Sequence, residues 1–207
     1  MAGQTSNGTP PARVGFQMGL RTGYAIPMGK ATDASGDDMS NLFGGQVPLF
    51  IEIGGKPSPN VFVGGYLGLG FGGTAGQLKT LCDDAGATCT GISVRLGAEV
   101  QYHILPDASA NPWIGYGIGF ESTGVSITAG GQNGSETASG FEFAHFMGGV
   151  DFRVSRVFGL GPVVDFSVGQ YSRLHAEFPN RPTRDDDITN KATHEWIAFG
   201  VRGVFFP

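Results

Sequence analysis

The strictest pattern in the chain is a two-residue alternation between Ile92 and Ile104. Its apolar positions are Ile92, Val94, Leu96, Ala98, Val100, Tyr102 and Ile104, and the positions between them are Ser93, Arg95, Gly97, Glu99, Gln101 and His103. Successive side chains of a β-strand point to opposite faces, whereas a helix repeats every 3.6 residues. The segment is therefore predicted to be a strand with one apolar and one polar face.

Seven further segments alternate in the same way. With the first they cover residues 14–26, 46–54, 61–72, 92–104, 114–121, 145–153, 164–169 and 197–205. Short, turn-rich connections such as GKPSPN, PDASANP and SRVFG alternate with long polar ones such as DASGDD, GGQNGSE and NRPTRDDDITN. An even number of strands, joined alternately by short turns and long loops, predicts an all-β, eight-stranded antiparallel up-and-down barrel. The long connections are expected to be solvated loops.

Two irregularities interrupt this pattern. Pro48 makes the second segment the least regular, because proline cannot donate to a sheet ladder. In the sixth segment the parity slips near Phe141 and Phe143. A β-bulge or the emergence of the strand from the bilayer would explain the slip.

The direction of the apolar face separates a soluble barrel from a membrane barrel. If the apolar face were interior, the outer surface of the barrel would be largely glycine, with few of the lysines and glutamates that keep a soluble protein dissolved. The four lysines, Lys30, Lys56, Lys79 and Lys191, fall in the predicted connections, so none has to face lipid. No run of about 18 apolar residues is present either. The pattern favours a transmembrane barrel with short periplasmic turns and long extracellular loops, and a soluble ligand-carrying barrel is the distant alternative.

With the apolar face towards lipid, the strands direct equal numbers of acidic and basic residues inwards. These are Arg21, Glu52, Arg95, Glu99, Glu121, Asp151, Arg153, Asp165, Arg173 and Arg202. Enclosed charges are tolerated when they are paired and hydrogen-bonded, so an ionic network across a nearly neutral lumen is predicted. Eight strands leave an interior that side chains can fill, although the many inward glycines leave room for a small cavity or a water chain.

The two cysteines, Cys82 and Cys89, lie close together in the hydrophilic stretch CDDAGATC. The spacing suits a local disulfide in an oxidising compartment, with free thiols as the alternative. A metal site would need further cysteines or histidines nearby, and His103, His145, His175 and His194 lie in separate segments. No metal and no cofactor are expected.

The pattern as a whole resembles the small bacterial outer-membrane β-barrels of the OmpA and OmpX type. The final stretch WIAFGVRGVFFP resembles their C-terminal insertion signal, with Ile197, Phe199, Val201 and Phe205 as its alternating residues, although it ends on Pro207 rather than on phenylalanine. The resemblance implies an integral protein of the outer membrane. Its implied partners are outer-membrane lipids, lipopolysaccharide and the barrel assembly machinery.

The chain is expected to form one barrel domain over residues 14–207. Residues 1–13 lack the basic start and apolar core of a signal peptide and are expected to be a flexible N-terminal segment of a mature chain. A formal net charge of -5 without a cluster of basic residues argues against a nucleic-acid partner.

A non-enzymatic surface protein whose long loops bind an extracellular or envelope protein partner, or act in adhesion, is the leading functional hypothesis. A narrow channel for small solutes or ions is the alternative. A lipid-modifying enzyme is the weakest hypothesis, because Glu142, His145, Ser167 and Ser172 lack the spacing of a catalytic set.

Overall fold

A computed structural model describes residues 14–206, so the segment 1–13 and Pro207 lie outside it. Eight long antiparallel strands close into one barrel, and a ninth, short strand extends the ladder at one rim. The strands are β1 (Gly15–Gly29), β2 (Phe43–Ser58), β3 (Val61–Thr74), β4 (Thr88–His103), β5 (Ala110–Ala129), β6 (Gln132–Arg153), β7 (Phe158–Glu177), β8 (Arg184–Asp187) and β9 (His194–Phe205).

Each long strand pairs with its neighbours along the chain, and two pairings complete the ring. β1 pairs with β9, and β9 pairs in turn with β7, so the barrel closes without an open edge. β8 pairs only with the outer end of β7. The predicted eight-stranded up-and-down barrel is confirmed, with short turns at one end and longer excursions at the other.

The long connections are more structured than expected. Two carry helices, α1 (Met39–Leu42) and α2 (Gly76–Asp84). The connection predicted as a loop between the fifth and sixth strands is instead a hairpin, since β5 and β6 continue until only Gly130 and Gly131 separate them. Both glycines have positive φ angles, 57° and 78°, which the tight turn of such a hairpin requires.

The prediction that these connections are solvated loops is also wrong in part. Their apolar side chains form a small core at the extracellular end of the barrel. It contains the buried residues Ala31, Met39, Phe43 and Val125, with Leu42, Leu78, Ile127, Ala138 and Ile188 packed against them. The predicted disulfide between Cys82 and Cys89 is present and links α2 to the start of β4.

The outer surface of the barrel wall is apolar. Leu96, Phe120 and Ile114 are each at least 60% exposed. Every long strand contributes exposed apolar side chains to this surface. Water would oppose this much exposed apolar surface, whereas lipid tails accommodate it, and the closed ladder leaves no strand edge unpaired. Lys56 lies at the end of β2 rather than in a connection, but it is buried and points inwards, so it too avoids the lipid face.

Among residues 14–206, no helix is long and apolar enough to cross a membrane.

Candidate functional site

The periplasmic half of the interior is organised around Arg202, on β9. Its Nε and Nη2 atoms donate to Glu52 Oε2 at 2.9 and 2.8 Å, and Nη1 donates to Asp151 Oδ2 at 2.8 Å. The guanidinium also lies 4.3 Å from the centre of the Trp113 ring. Because Arg202 and Glu52 are fully buried, each charge depends on the other for its stabilisation.

Arg21, on β1, connects this half to the next level of the barrel. Its Nε lies 2.6 Å from Glu52 Oε1, and its Nη1 forms an ion pair with Asp165. Its Nη2 lies 3.9 Å from Glu99 Oε2, while the ring of Phe50 lies 4.6 Å from the guanidinium carbon. Strands on opposite sides of the barrel are thereby joined through one side chain.

Arg95, on β4, holds the extracellular half together. Its Nη1 donates to Ser167 Oγ at 2.7 Å, and its Nη2 lies 3.4 Å from Glu121 Oε2. Glu121 is paired with His194 as well. The centre of the Trp196 ring lies 5.5 Å from the Arg95 guanidinium carbon. An aromatic ring therefore packs on the arginine of the extracellular half, as Trp113 packs on Arg202 in the periplasmic half.

A β-bulge in β6 brings Glu142 and His145 into the interior. The register with β7 shifts between Glu142 and Ala144, where the sequence parity slips, so two residues three positions apart both point inwards. His145 Nδ1 lies 3.0 Å from Glu142 Oε1, and its Nε2 lies 3.7 Å from Asp165 Oδ1. The predicted network omitted both residues, although the parity slip marked their position.

Eight of the ten residues predicted to form the network are buried in the interior: Arg21, Glu52, Arg95, Glu99, Glu121, Asp151, Asp165 and Arg202. The other two are not among the buried residues. Arg153 is half-buried at the periplasmic rim, where Nη2 donates to the backbone oxygen of Pro106 at 2.9 Å. Arg173 is exposed on the outer wall.

These placements change the expected charge balance. Among the described residues, the buried groups are six carboxylates (Glu52, Glu99, Glu121, Glu142, Asp151 and Asp165), the three guanidiniums of Arg21, Arg95 and Arg202, and Lys56. The predicted neutrality placed Arg173 in the lumen and left Glu142 out. The lumen is therefore richer in acidic groups than expected.

Aromatic side chains occupy the space that the inward glycines leave. A Cβ atom on Gly68 would lie 2.4 Å from the Phe50 ring, and one on Gly97 would lie 2.4 Å from the Tyr66 hydroxyl. The largest space identified inside the barrel, beside Phe50 and Arg95, has a volume of only about 20 Å³, little more than one water molecule needs. The glycines thus accommodate large side chains rather than lining an open pore.

The four residues considered for catalysis do not form a catalytic set. Both ring nitrogens of His145 face carboxylates, and Ser167 Oγ accepts a hydrogen bond from Arg95. Ser172 Oγ instead donates to the backbone oxygen of Ser139 at 3.4 Å. In the described part of the chain, no group of three His, Cys, Asp or Glu side chains is placed to hold a metal.

A larger cavity lies at the extracellular end, enclosed by the long connections. We call it the cup; its volume is about 230 Å³. Its apolar walls are formed by Ala31, Leu42, Phe43, Leu78, Val125, Ile127, Ala138, Leu174 and Ile188. Thr32, Thr123 and Tyr171 add hydroxyl groups, and Asp37 and Glu136 add carboxyl groups. Sequence reasoning missed the cup because its walls come from segments distant in the chain.

The sequence matches no protein-family model and no curated protein. Its fold is similar to those of several solved structures. The outer membrane protein AlkL has a TM-score of 0.55 at 14% identity, covering 100% of this chain and 97% of that one. A major outer membrane protein from Thermus thermophilus has a TM-score of 0.56 at 13% identity, covering 93% and 99%. OprG from Pseudomonas aeruginosa has a TM-score of 0.52 at 10% identity, covering 95% and 99%.

These likenesses extend over nearly the whole of each chain and concern the fold alone. They agree with the closed ring of eight strands. The resemblance seen in the sequence is confirmed at this level: the chain has the architecture of the small outer-membrane β-barrels.

Proposed function

We propose that this outer-membrane β-barrel is a non-enzymatic surface binding protein and that the cup is its binding site. The observation that carries the proposal is the contrast between the two ends of the interior. The barrel itself is filled, with a cavity of about 20 Å³, whereas the cup above it offers about 230 Å³. Binding sites for small molecules are typically concave and apolar, with a few polar groups that set orientation.

The chemistry of the walls defines the class of ligand. An apolar cavity of roughly 150 Å³ accommodates benzene, so the cup has room for a somewhat larger small molecule. Its hydroxyl groups, on Thr123 and Tyr171, suit a ligand with one polar end. Asp37 and Glu136 place negative charge on the walls and would repel an anion. The expected ligand is neutral, compact and largely apolar.

Two alternatives belong to other functional classes. A narrow channel would need a continuous passage, and the aromatic side chains of Tyr66 and Trp113 occupy the lumen instead. A lipid-modifying enzyme would need a nucleophile near a base, but His145 faces two carboxylates. A surface protein that binds through its outer loops agrees better with this arrangement.

The test is binding of small probes to the folded protein in detergent, measured by saturation-transfer NMR. We expect saturable binding of 1-hexanol and no binding of hexanoate, which has the same chain length but carries a negative charge. Filling the cup with Ala138→Phe should abolish hexanol binding, because Ala138 lines the cavity.

Ala129→Phe is the matched control. Ala129 is exposed at the end of β5, outside the cup, so this variant should bind hexanol as the unaltered protein does. Equal binding by the Ala138→Phe variant, or tighter binding of hexanoate than of hexanol, would contradict the proposal. Slower gel migration after boiling verifies that each variant is folded.

A further inference from the structure

Arg173 lies on the outside of the barrel because β7 contains a bulge. Ser139 is opposite Arg173 and Gly140 is opposite Tyr171, so Ser172 is an extra residue in the ladder. As a result Tyr171 is fully buried inside, whereas Arg173, two positions later, is exposed outside. A bulge can redirect a side chain in this way, and here it takes a cation out of the lumen.

The position of Arg173 coincides with the end of the apolar wall. One row of the sheet runs across Leu96, Phe120 and Phe141, which are 60%, 66% and 41% exposed. The next row towards the extracellular end begins with the apolar Val94 on β4 and becomes polar across Ser122, Ser139 and Arg173. The side chain therefore sits where lipid tails give way to headgroups on this side of the barrel.

Two adjoining depressions meet at this residue. One, with a volume of about 550 Å³, is lined by Leu96, Phe120, Phe141, Ser139, Ser172 and Arg173. The other, of about 560 Å³, contains Ser172 and Arg173 again and adds Asp187 and Lys191 from the connection between β7 and β9. Together they form a continuous groove that is apolar below and polar, with two cations, above.

We propose that this groove binds a phosphorylated glycolipid of the outer leaflet, of the lipopolysaccharide class. Its phosphate group lies between Arg173 and Lys191, and its acyl chains lie against Leu96, Phe120 and Phe141. Guanidinium and ammonium groups are suited to phosphate. This site is on the lipid-facing wall and is independent of the cup.

Two carboxylates line the groove. Asp187 lies beside the two cations in the upper depression, whereas Glu121, which borders the lower one, is buried and paired with Arg95 and His194 inside the barrel. The site keeps a net positive charge, which a phosphate complements. A lipid-borne phosphate is favoured over a free one, because the groove continues onto apolar wall that only acyl chains would cover. The phosphate and the chains would then be bound together.

The experiment titrates the full chain, folded in neutral detergent, with purified lipopolysaccharide and counts bound lipid by native mass spectrometry. Arg173→Gln and Lys191→Gln should each weaken binding about fivefold, the effect of removing one cation near a membrane surface. Arg156→Gln is the matched control, since Arg156 is exposed in the opposite, periplasmic turn. It should bind as the unaltered protein does.

Enzymatically dephosphorylated lipopolysaccharide and inorganic phosphate complete the test. We expect the dephosphorylated lipid to bind more weakly and equally to all variants, and inorganic phosphate not to compete. Unchanged affinity of both the Arg173→Gln and Lys191→Gln variants would overturn the proposal. So would equal binding of the two lipids, or displacement by inorganic phosphate. Hexanol binding to the cup of the Arg173→Gln variant shows whether the variant is folded and tests the other site separately.

Discussion

Glycine in this barrel is matched to the side chain that faces it. Gly68 and Gly73 both lie on β3, but a Cβ atom on Gly68 would approach the Phe50 ring to 2.4 Å, whereas one on Gly73 would meet nothing within 4 Å. Phe50 has little freedom to move, because it is packed against Arg21 and lies 5.6 Å from the His145 ring. The two glycines therefore have different roles.

We predict that Gly68→Ala destabilises the barrel by about 1–3 kcal/mol, the usual cost of overpacking a filled interior. Gly73→Ala should be neutral or slightly stabilising, since alanine orders a strand at a smaller entropic cost. Urea unfolding in detergent micelles measures both. Adding Phe50→Leu to Gly68→Ala should recover part of the loss, and a double variant no more stable than Gly68→Ala alone would contradict this explanation.

Arg202 is the second residue with a predictable effect. Arg202→Met keeps the length of the side chain but leaves Glu52 and Asp151 without their shared cation. Removing one member of a buried ion pair typically costs about 3–5 kcal/mol, so a loss of this size is expected in the same unfolding experiment.

Two companion variants distinguish loss of charge from loss of packing. Arg156→Met removes an exposed arginine and should have little effect. Glu52 keeps its contact with Arg21, so combining Arg202→Met with Asp151→Asn removes the carboxylate that has lost its guanidinium partner, and should restore part of the stability. If this double variant were no more stable than Arg202→Met, the packing of Arg202 on Trp113 would be its main contribution.

For the regular strands, the alternation of apolar and polar residues correctly predicted which side chains point into the barrel. β4 alternates without interruption from Ile92 to its end at His103, and its inward residues Arg95 and Glu99 are buried. Prediction failed where a bulge changes parity: Arg173 points outwards and Glu142 points inwards. The alternation within one strand cannot locate the extra residue of a bulge. A bulge exists only relative to the partner strand, where one residue lies opposite two.

The extracellular connections were the least predictable elements. Composition marked them as polar, and most of their residues are exposed, yet a few apolar side chains such as Met39 and Val125 pack together. These contacts join segments that are far apart in the chain. The cup could therefore not be predicted from local patterns, although the disulfide within one connection could.

The β7–β8 pairing has a pH-sensitive contact outside the membrane. His175 Nδ1 lies 2.6 Å from Asp185 Oδ1, and the hydrogen bond to Asp185, together with its negative charge, raises the pKa of the exposed His175 above its ordinary value. The charged imidazolium is thus favoured in the folded state. As long as Asp185 is ionised, the contact between the two side chains stabilises the β7–β8 pairing at lower pH. This stabilisation is lost as the pH rises through the raised pKa of His175.

We predict that β8 becomes less protected from amide hydrogen exchange as the pH rises through this range, after correction for intrinsic exchange rates. The change should be confined to residues 184–187 and their partners on β7. His175→Gln should make protection independent of pH there. A pH dependence that persists in this variant would assign the effect to another group.

For the whole molecule, a filled interior predicts a barrel that does not conduct. Planar bilayers containing the unaltered protein should show no single-channel steps, because Phe62, Tyr66 and Trp113 are almost completely buried in the lumen. Combining Tyr66→Ala with Trp113→Ala should open the passage. The double variant also demonstrates that the assay detects an open lumen of this size.

Any current through the opened barrel should be carried by cations. The six buried carboxylates outnumber the three buried guanidiniums and Lys56 in the described part of the chain, so the lining attracts positive ions. Reversal potentials in a salt gradient measure this selectivity. Anion selectivity would show that the charge balance of the lumen differs from the one described here, while steps from the unaltered protein would favour the narrow channel over the surface binding protein.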